Sequence, residues 1–84
     1  MTNKEILKKQ IIYRSSHRGS KEMDILLGNF VRKYINDFNT KELNDLEQIL
    51  FVDDEILYQW YFERKKNNIV PINKVSNLLK KFKL

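Results

Sequence analysis

The chain has 84 residues, a formal net charge of +5, one histidine, two glycines and no cysteine. That length makes one domain with a small single core. The missing cysteines exclude a disulfide framework and a thiolate metal site, and a lone histidine excludes a histidine-rich metal site or a two-histidine relay.

In chain order, apolar residues recur at helical spacing in five segments, separated by polar breaks and with no strand-like alternation. The expected fold class is therefore all-α: a compact bundle of five short helices forming a single domain over residues 1–84. The first helix is predicted over residues 3–16, with Thr2 or Asn3 as N-cap and a narrow stripe of Ile6, Leu7, Ile11 and Ile12. The second is predicted over 20–37, capped by Ser20 or Gly19, with Glu22 and Asp24 in the first turn, where carboxylates complement the helix dipole. Its stripe of Met23, Leu26, Leu27, Phe30, Val31, Tyr34 and Phe38 is the strongest period in the chain and marks the central core helix. Gly28 falls inside it, where either close approach of another backbone or drift in composition accounts for it.

Thr40 is expected to cap a third helix over 41–51, with Leu43, Leu46, Ile49 and Leu50 buried. Asp53 is expected to cap a fourth over 54–65, apolar over more than half its circumference, with Trp60 read as core. Pro71 ends any continuation, and a fifth helix over 73–82 offers Val75, Leu78, Leu79 and Phe82.

The joint between the first two helices, Arg14-Ser15-Ser16-His17-Arg18-Gly19-Ser20-Lys21-Glu22-Met23-Asp24, carries more charge than a helical hairpin needs. Gly19 supplies freedom where the first helix stops. Arg18 and Glu22 are four apart, a spacing that suits an exposed ion pair. His17 has no second histidine, cysteine or relay partner and is read as a contact residue only.

Arg18-Gly19-Ser20-Lys21-Glu22 reads as R-G-x-x-E, and this resembles the signature of the succinate dehydrogenase flavinylation factors, the SdhE-type assembly factors of bacteria and mitochondria. The resemblance continues through an L-L-x-x-F helix at Leu26, Leu27 and Phe30. It then takes in Ile49, Leu50, Asp53, Asp54, Leu57, Tyr58 and Trp60, so that it covers about residues 11–82. Ser20 departs from it, standing where the family usually carries a bulky apolar residue such as Met.

The resemblance implies a binding role: promoting covalent attachment of FAD to the flavoprotein subunit of succinate dehydrogenase, and of the related fumarate reductase. It implies a partner-binding surface at Arg14, Ser15, His17, Arg18, Gly19, Glu22 and Asp24. Arg18 and Glu22 would make charge-assisted contacts, and Gly19 would allow close approach. The FAD and its acceptor histidine belong to the partner, so no cofactor is expected to be bound stably here, and no metal.

Other classes find less support. Glu22 and Asp24 are two apart on one helix and point to different faces, so they make no acid–base pair, and two glycines cannot build a nucleotide-binding loop. The chain is read as not an enzyme. The alternatives are a small basic nucleic-acid-binding domain or a generic adaptor. Basic residues spread over every segment with acidic ones interleaved argue against nucleic acid, as do Glu22 and Asp24 where a recognition helix would meet phosphates. No apolar run is long enough to insert across a membrane. The opening residues lack a signal-peptide core, so a bacterial cytoplasmic protein is expected, or a mitochondrial matrix one if a leader has been removed.

Overall fold

A computed structural model of the chain describes residues 2–84; Met1 lies outside them. Among the described residues there are five helices and no strand: α1 Asn3–Ser16, α2 Lys21–Tyr34, α3 Thr40–Leu50, α4 Asp54–Tyr61 and α5 Lys74–Lys81. The all-α bundle expected from periodicity is the observed architecture.

Local chemistry sets where each helix starts. Thr2 accepts the Glu5 N–H at 3.1 Å and Ser20 accepts the Met23 N–H at 3.3 Å, each taking one of the donors that a helix start leaves without a partner. α3 and α5 open with reciprocal capping boxes, Asn39 with Glu42 and Asn73 with Ser76. The cap of α3 is thus Asn39 and not the expected Thr40. Thr40 becomes the first helical residue because Asn39 alone has a glutamate three positions on. Asp53 occupies the N-cap position of α4, but its side chain makes no capping bond.

α5 is one residue shorter at each end than expected, and two helices stop well short of their expected C-terminal ends. α2 stops at Tyr34, and a tighter turn follows in which the Asp37 N–H reaches the Tyr34 carbonyl at 2.9 Å. α4 stops at Tyr61, four residues short of the expected end. Arg64 takes up a left-handed conformation (φ 57°), and the Lys65 N–H turns back to the Gln59 carbonyl at 3.0 Å, which places Lys65 and Lys66 outside the helix.

The core is assembled from one face of each helix. α1 gives Ile11, α2 gives Met23, Leu26, Leu27, Phe30 and Val31, and α3 gives Leu43, Leu46, Ile49 and Leu50. Leu57 and Trp60 of α4, with Val75 and Leu79 of α5, close it. Phe30 sits at the centre, fully buried, with ring centroids of Tyr34, Phe82 and Phe38 at 5.0, 5.4 and 6.3 Å. Such tilted and edge-on pairs add to what burial alone contributes. Trp60 is buried, as its reading as core requires. The α1 stripe is narrower than four residues, because Ile6 and Ile12 face water and only Ile11 is fully enclosed. At Gly28 an added Cβ would meet only the Arg32 guanidinium, at 3.4 Å, so no close backbone approach accounts for the glycine.

Candidate functional site

The joint is built by the way α1 ends. Ser15 and Ser16 turn their hydroxyls back onto the Ile12 carbonyl, at 2.9 and 3.0 Å, and so take up an acceptor in the last turn. His17 then leaves the helix at φ −126°, and Arg18 crosses to the turn between α3 and α4.

Arg18 is the structural centre of that crossing. Its Nε donates to Asp54 Oδ1 at 2.7 Å, and Nη2 lies 2.6 Å from the same oxygen. Nη1 donates to the Leu50 carbonyl at 2.7 Å and Nη2 to the Val52 carbonyl at 3.1 Å. These carbonyls lie at the C-terminal end of α3, where a cation is favoured by the helix dipole and the last acceptors lack helical partners. The other oxygen of Asp54, Oδ2, accepts the Gly19 N–H at 2.5 Å, and Asp24 accepts the Arg18 N–H at 2.6 Å. One arginine and two aspartates therefore pin the start of α2 against the α3–α4 turn. The Arg18 side chain is only 9% exposed and Asp54 21%, so the pair is largely withdrawn from water. Removing one partner from such a pair leaves an uncompensated buried charge, at a cost of roughly 3–5 kcal/mol.

Several expectations for the joint change as a result. Arg18 does not pair with Glu22, because Asp54 and two helix-end carbonyls offer it a drier and better-matched site. Ser15 faces the interior at 2% exposed and does not reach the surface. Asp24 is half-buried and turned to the Arg18 backbone. Gly19 has no positive φ, so its freedom is not what ends α1. Its lack of a side chain matters because a Cβ there would sit 3.2 Å from Asp54 Oδ2. Ser20, which replaces the expected bulky residue, acts as the N-cap of α2.

What the joint presents outward is a shorter set. Glu22 is exposed and makes no ion pair among the described residues. His17 is exposed, stacked on Tyr13 with centroids 3.9 Å apart, and its Nδ1 donates to the Tyr13 carbonyl at 2.7 Å. Arg14 lays its guanidinium over the exposed Phe51 ring, 4.5 Å from the centroid. Beside these, Gly19, Glu22, Asp53, Glu55, Tyr58 and Glu63 line an open acidic hollow between the start of α2 and one side of α4. The sequence reading did not include Asp54, Tyr58 or Phe51 in the site. The acidic pair Asp53-Asp54 was the available signal for Asp54, but spacing along the chain cannot tell which arginine it meets 36 residues away.

Among the described residues no group of three or more His, Cys, Asp or Glu is placed to hold a metal ion, and no helix is long and apolar enough to cross a membrane. The result is a small helical domain with a braced polar joint and an open hollow beside it. Comparison with known proteins gives its family: the family model described as flavinator of succinate dehydrogenase matches residues 9–83, and the chain belongs to that family. Succinate dehydrogenase assembly factor 2, mitochondrial, of Scheffersomyces stipitis is 35% identical over 68 residues, 81% of this chain and 44% of its own length. The FAD assembly factor SdhE of Acetobacter pasteurianus is 34% identical over 74 residues, 88% of this chain and 65% of its own. The Candida glabrata assembly factor 2 is 35% identical over 82 residues, 94% of this chain and 54% of its own. The chain thus spans between 44% and 65% of the length of these relatives. No solved structure gives a significant match.

Proposed function

We propose that this chain is an assembly factor that binds the flavoprotein subunit of succinate dehydrogenase and promotes covalent attachment of FAD to it, and that it serves the related subunit of fumarate reductase in the same way. The observation that carries this reading is the family match over residues 9–83, within which the R-G-x-x-E joint lies. The partner supplies the flavin and the acceptor residue; this chain holds no cofactor and performs no proton transfer of its own.

The geometry supports a division of labour within the joint. Arg18, Asp24 and Asp54 act as positioning residues, since their polar atoms are turned to one another and to backbone. Glu22, the backbone at Gly19, His17 and Arg14 form the contact surface. A carboxylate with no internal partner, at a helix N-terminus, is available for a charge-assisted bond to a cationic donor of the partner. Rigid support makes such a contact useful for orientation, because a partner domain held in one geometry needs less entropy to reach the reacting arrangement. The same acidic surface at the start of α2 disfavours specific nucleic-acid binding. The named relatives are bacterial and mitochondrial, so the bacterial cytoplasm or the mitochondrial matrix is the place of action.

The test is covalent flavin fluorescence of the denatured flavoprotein subunit in cells lacking the native factor. This chain should restore the signal and co-purify with the subunit. Co-purification without covalent flavin would reduce the proposal to a binding role, and absence of both would remove it.

A further inference from the structure

The charge of the chain is unevenly placed. Residues 64–84 hold seven of its sixteen Lys and Arg residues and no Asp or Glu. That leaves nine basic and eleven acidic residues in the preceding 63, a net of −2. The expected interleaving of charges holds only before Arg64. The acidic excess includes the hollow at the joint, and all of the positive net charge comes from the stretch that carries α5 and the connection leading to it.

That connection has a distinctive shape. Asn67 Oδ1 accepts the N–H groups of Ile69 and Val70 at 2.8 and 2.9 Å, which closes a tight turn. Val70 is driven into the core, while Ile69 and Ile72 are left 56% and 91% exposed. Ile72 lies on the rim shared by two hollows. Lys66 and Lys80 line one, and Lys74 and Lys81 line the other. An aliphatic side chain standing almost wholly in water therefore shares its two hollows with four lysines. Lys74 is shared with Glu42 at 3.1 Å, and Lys80 has its Nζ 5.4 Å from the Trp60 ring centroid. Lys66 and Lys81 make no ion pair among the described residues. One exposed isoleucine needs no explanation, but Ile72 is 91% exposed and Ile69, three residues before it, 56%, in a stretch with no Asp or Glu.

We propose that this face adsorbs to an anionic phospholipid bilayer, with Ile72 and Ile69 entering the interfacial acyl region and Lys66, Lys74, Lys80 and Lys81 meeting the headgroup phosphates. Clusters of four to eight basic residues beside apolar side chains suit such a surface, each lysine contributing about 1 kcal/mol, or about five-fold in partition, near an anionic leaflet. Such adsorption is to the surface, since no helix among the described residues is long and apolar enough to cross a membrane. The same field repels the acidic hollow, so an adsorbed molecule keeps its joint in water. A single-stranded nucleic acid also offers phosphates, but it needs exposed rings to stack on. Here Trp60 is buried and Phe82 is packed against the core, so the tips of this face are aliphatic.

The test uses the full chain with vesicles of phosphatidylcholine alone and of phosphatidylcholine mixed with phosphatidylglycerol, at physiological ionic strength. Co-sedimentation should favour the anionic vesicles by at least about ten-fold. Ile72→Ser should lower that partition by roughly ten-fold, with an unchanged far-UV spectrum because the side chain is exposed. Lys66→Gln with Lys81→Gln should lower it by about twenty-five-fold. Equal pelleting with neutral and anionic vesicles, indifference to Ile72→Ser, or tighter binding to single-stranded RNA than to the vesicles would each overturn the proposal. It does not rest on the flavinylation reading, and failure with vesicles leaves the joint's assay untouched.

Discussion

Between α1 and α2 the chain turns in four residues, 17–20, and Arg18 and Gly19 are fixed there by two aspartates and two helix-end carbonyls. Between α4 and α5 it takes twelve residues, 62–73, shaped by one asparagine turn and a proline, and it leaves two isoleucines in water. The first turn withdraws a charge pair from solvent, which is worthwhile only where geometry must be held. The second invests in exposed apolar and basic groups, which suit a surface with no fixed geometry. The two turns are thus built differently, one around fixed charge positions and the other around exposed basic and apolar side chains.

Substitutions can break or sharpen that contrast. The largest effect should come from Trp60→Ala, on α4, whose first residue Asp54 braces the first turn and whose end leads into the second. A buried indole replaced by a methyl leaves a cavity, and urea melts should show a loss of roughly 3–5 kcal/mol. A loss below about 1 kcal/mol would place Trp60 outside the core. Next is Arg18→Ala, which strands the Asp54 carboxylate and should cost about 3 kcal/mol, near the lower end for buried pairs because Asp54 keeps some solvent contact. Lys66→Ala at the other turn should stay within about 0.5 kcal/mol. Equal costs at the two positions would erase the contrast.

Much of this was legible in the sequence, and the misses have physical reasons. The five helices and the α2, α3 and α5 core stripes follow from periodicity, because burial of one face repeats every three to four residues. The ends of α2 and α4 did not follow, since they are set by a tight turn at 35–37 and by the left-handed Arg64. The joint stood out in the sequence by its charge and its R-G-x-x-E pattern, and it falls where periodicity put it, between α1 and α2. Its internal wiring was misread: the i, i+4 spacing suggested Arg18 with Glu22, whereas the tertiary fold offers Asp54. Ser15 looked exposed next to charged neighbours, yet it falls on the Ile11 side of α1 and is buried. Local spacing ranks candidate partners but cannot see one that arrives from 36 residues away.

Smaller effects refine the picture. Gly19→Ala puts a Cβ at 3.2 Å from Asp54 Oδ2 without backbone strain, so it should cost roughly 1 kcal/mol in a urea melt. If Arg18→Ala is already present, Asp54 can move and that cost should shrink, which a double-mutant cycle would read as coupling. The smallest effect concerns acid. The Glu42 carboxyl is held below its ordinary value by the Asn39 N–H and next by Lys74, a bond that ties the start of α3 to α5. A lowered folded pKa gives stability that is present above the unfolded glutamate value and lost as pH falls through the folded one. Melting temperatures of the native chain should therefore fall more steeply than those of Glu42→Gln between about pH 5 and 3. Parallel curves would contradict this.

The central claim is that Arg18 and Asp54 brace the joint while Glu22 makes the contact, and Glu22→Gln tests it most directly. The change keeps the side chain's shape and removes only a charge that has no internal ion-pair partner, so the melt should move by well under 1 kcal/mol. Covalent flavin on the denatured flavoprotein subunit, measured in cells lacking the native factor, should then fall to the level of cells without any factor. Full flavinylation by a stable Glu22→Gln protein would contradict the account and move the working surface away from this joint.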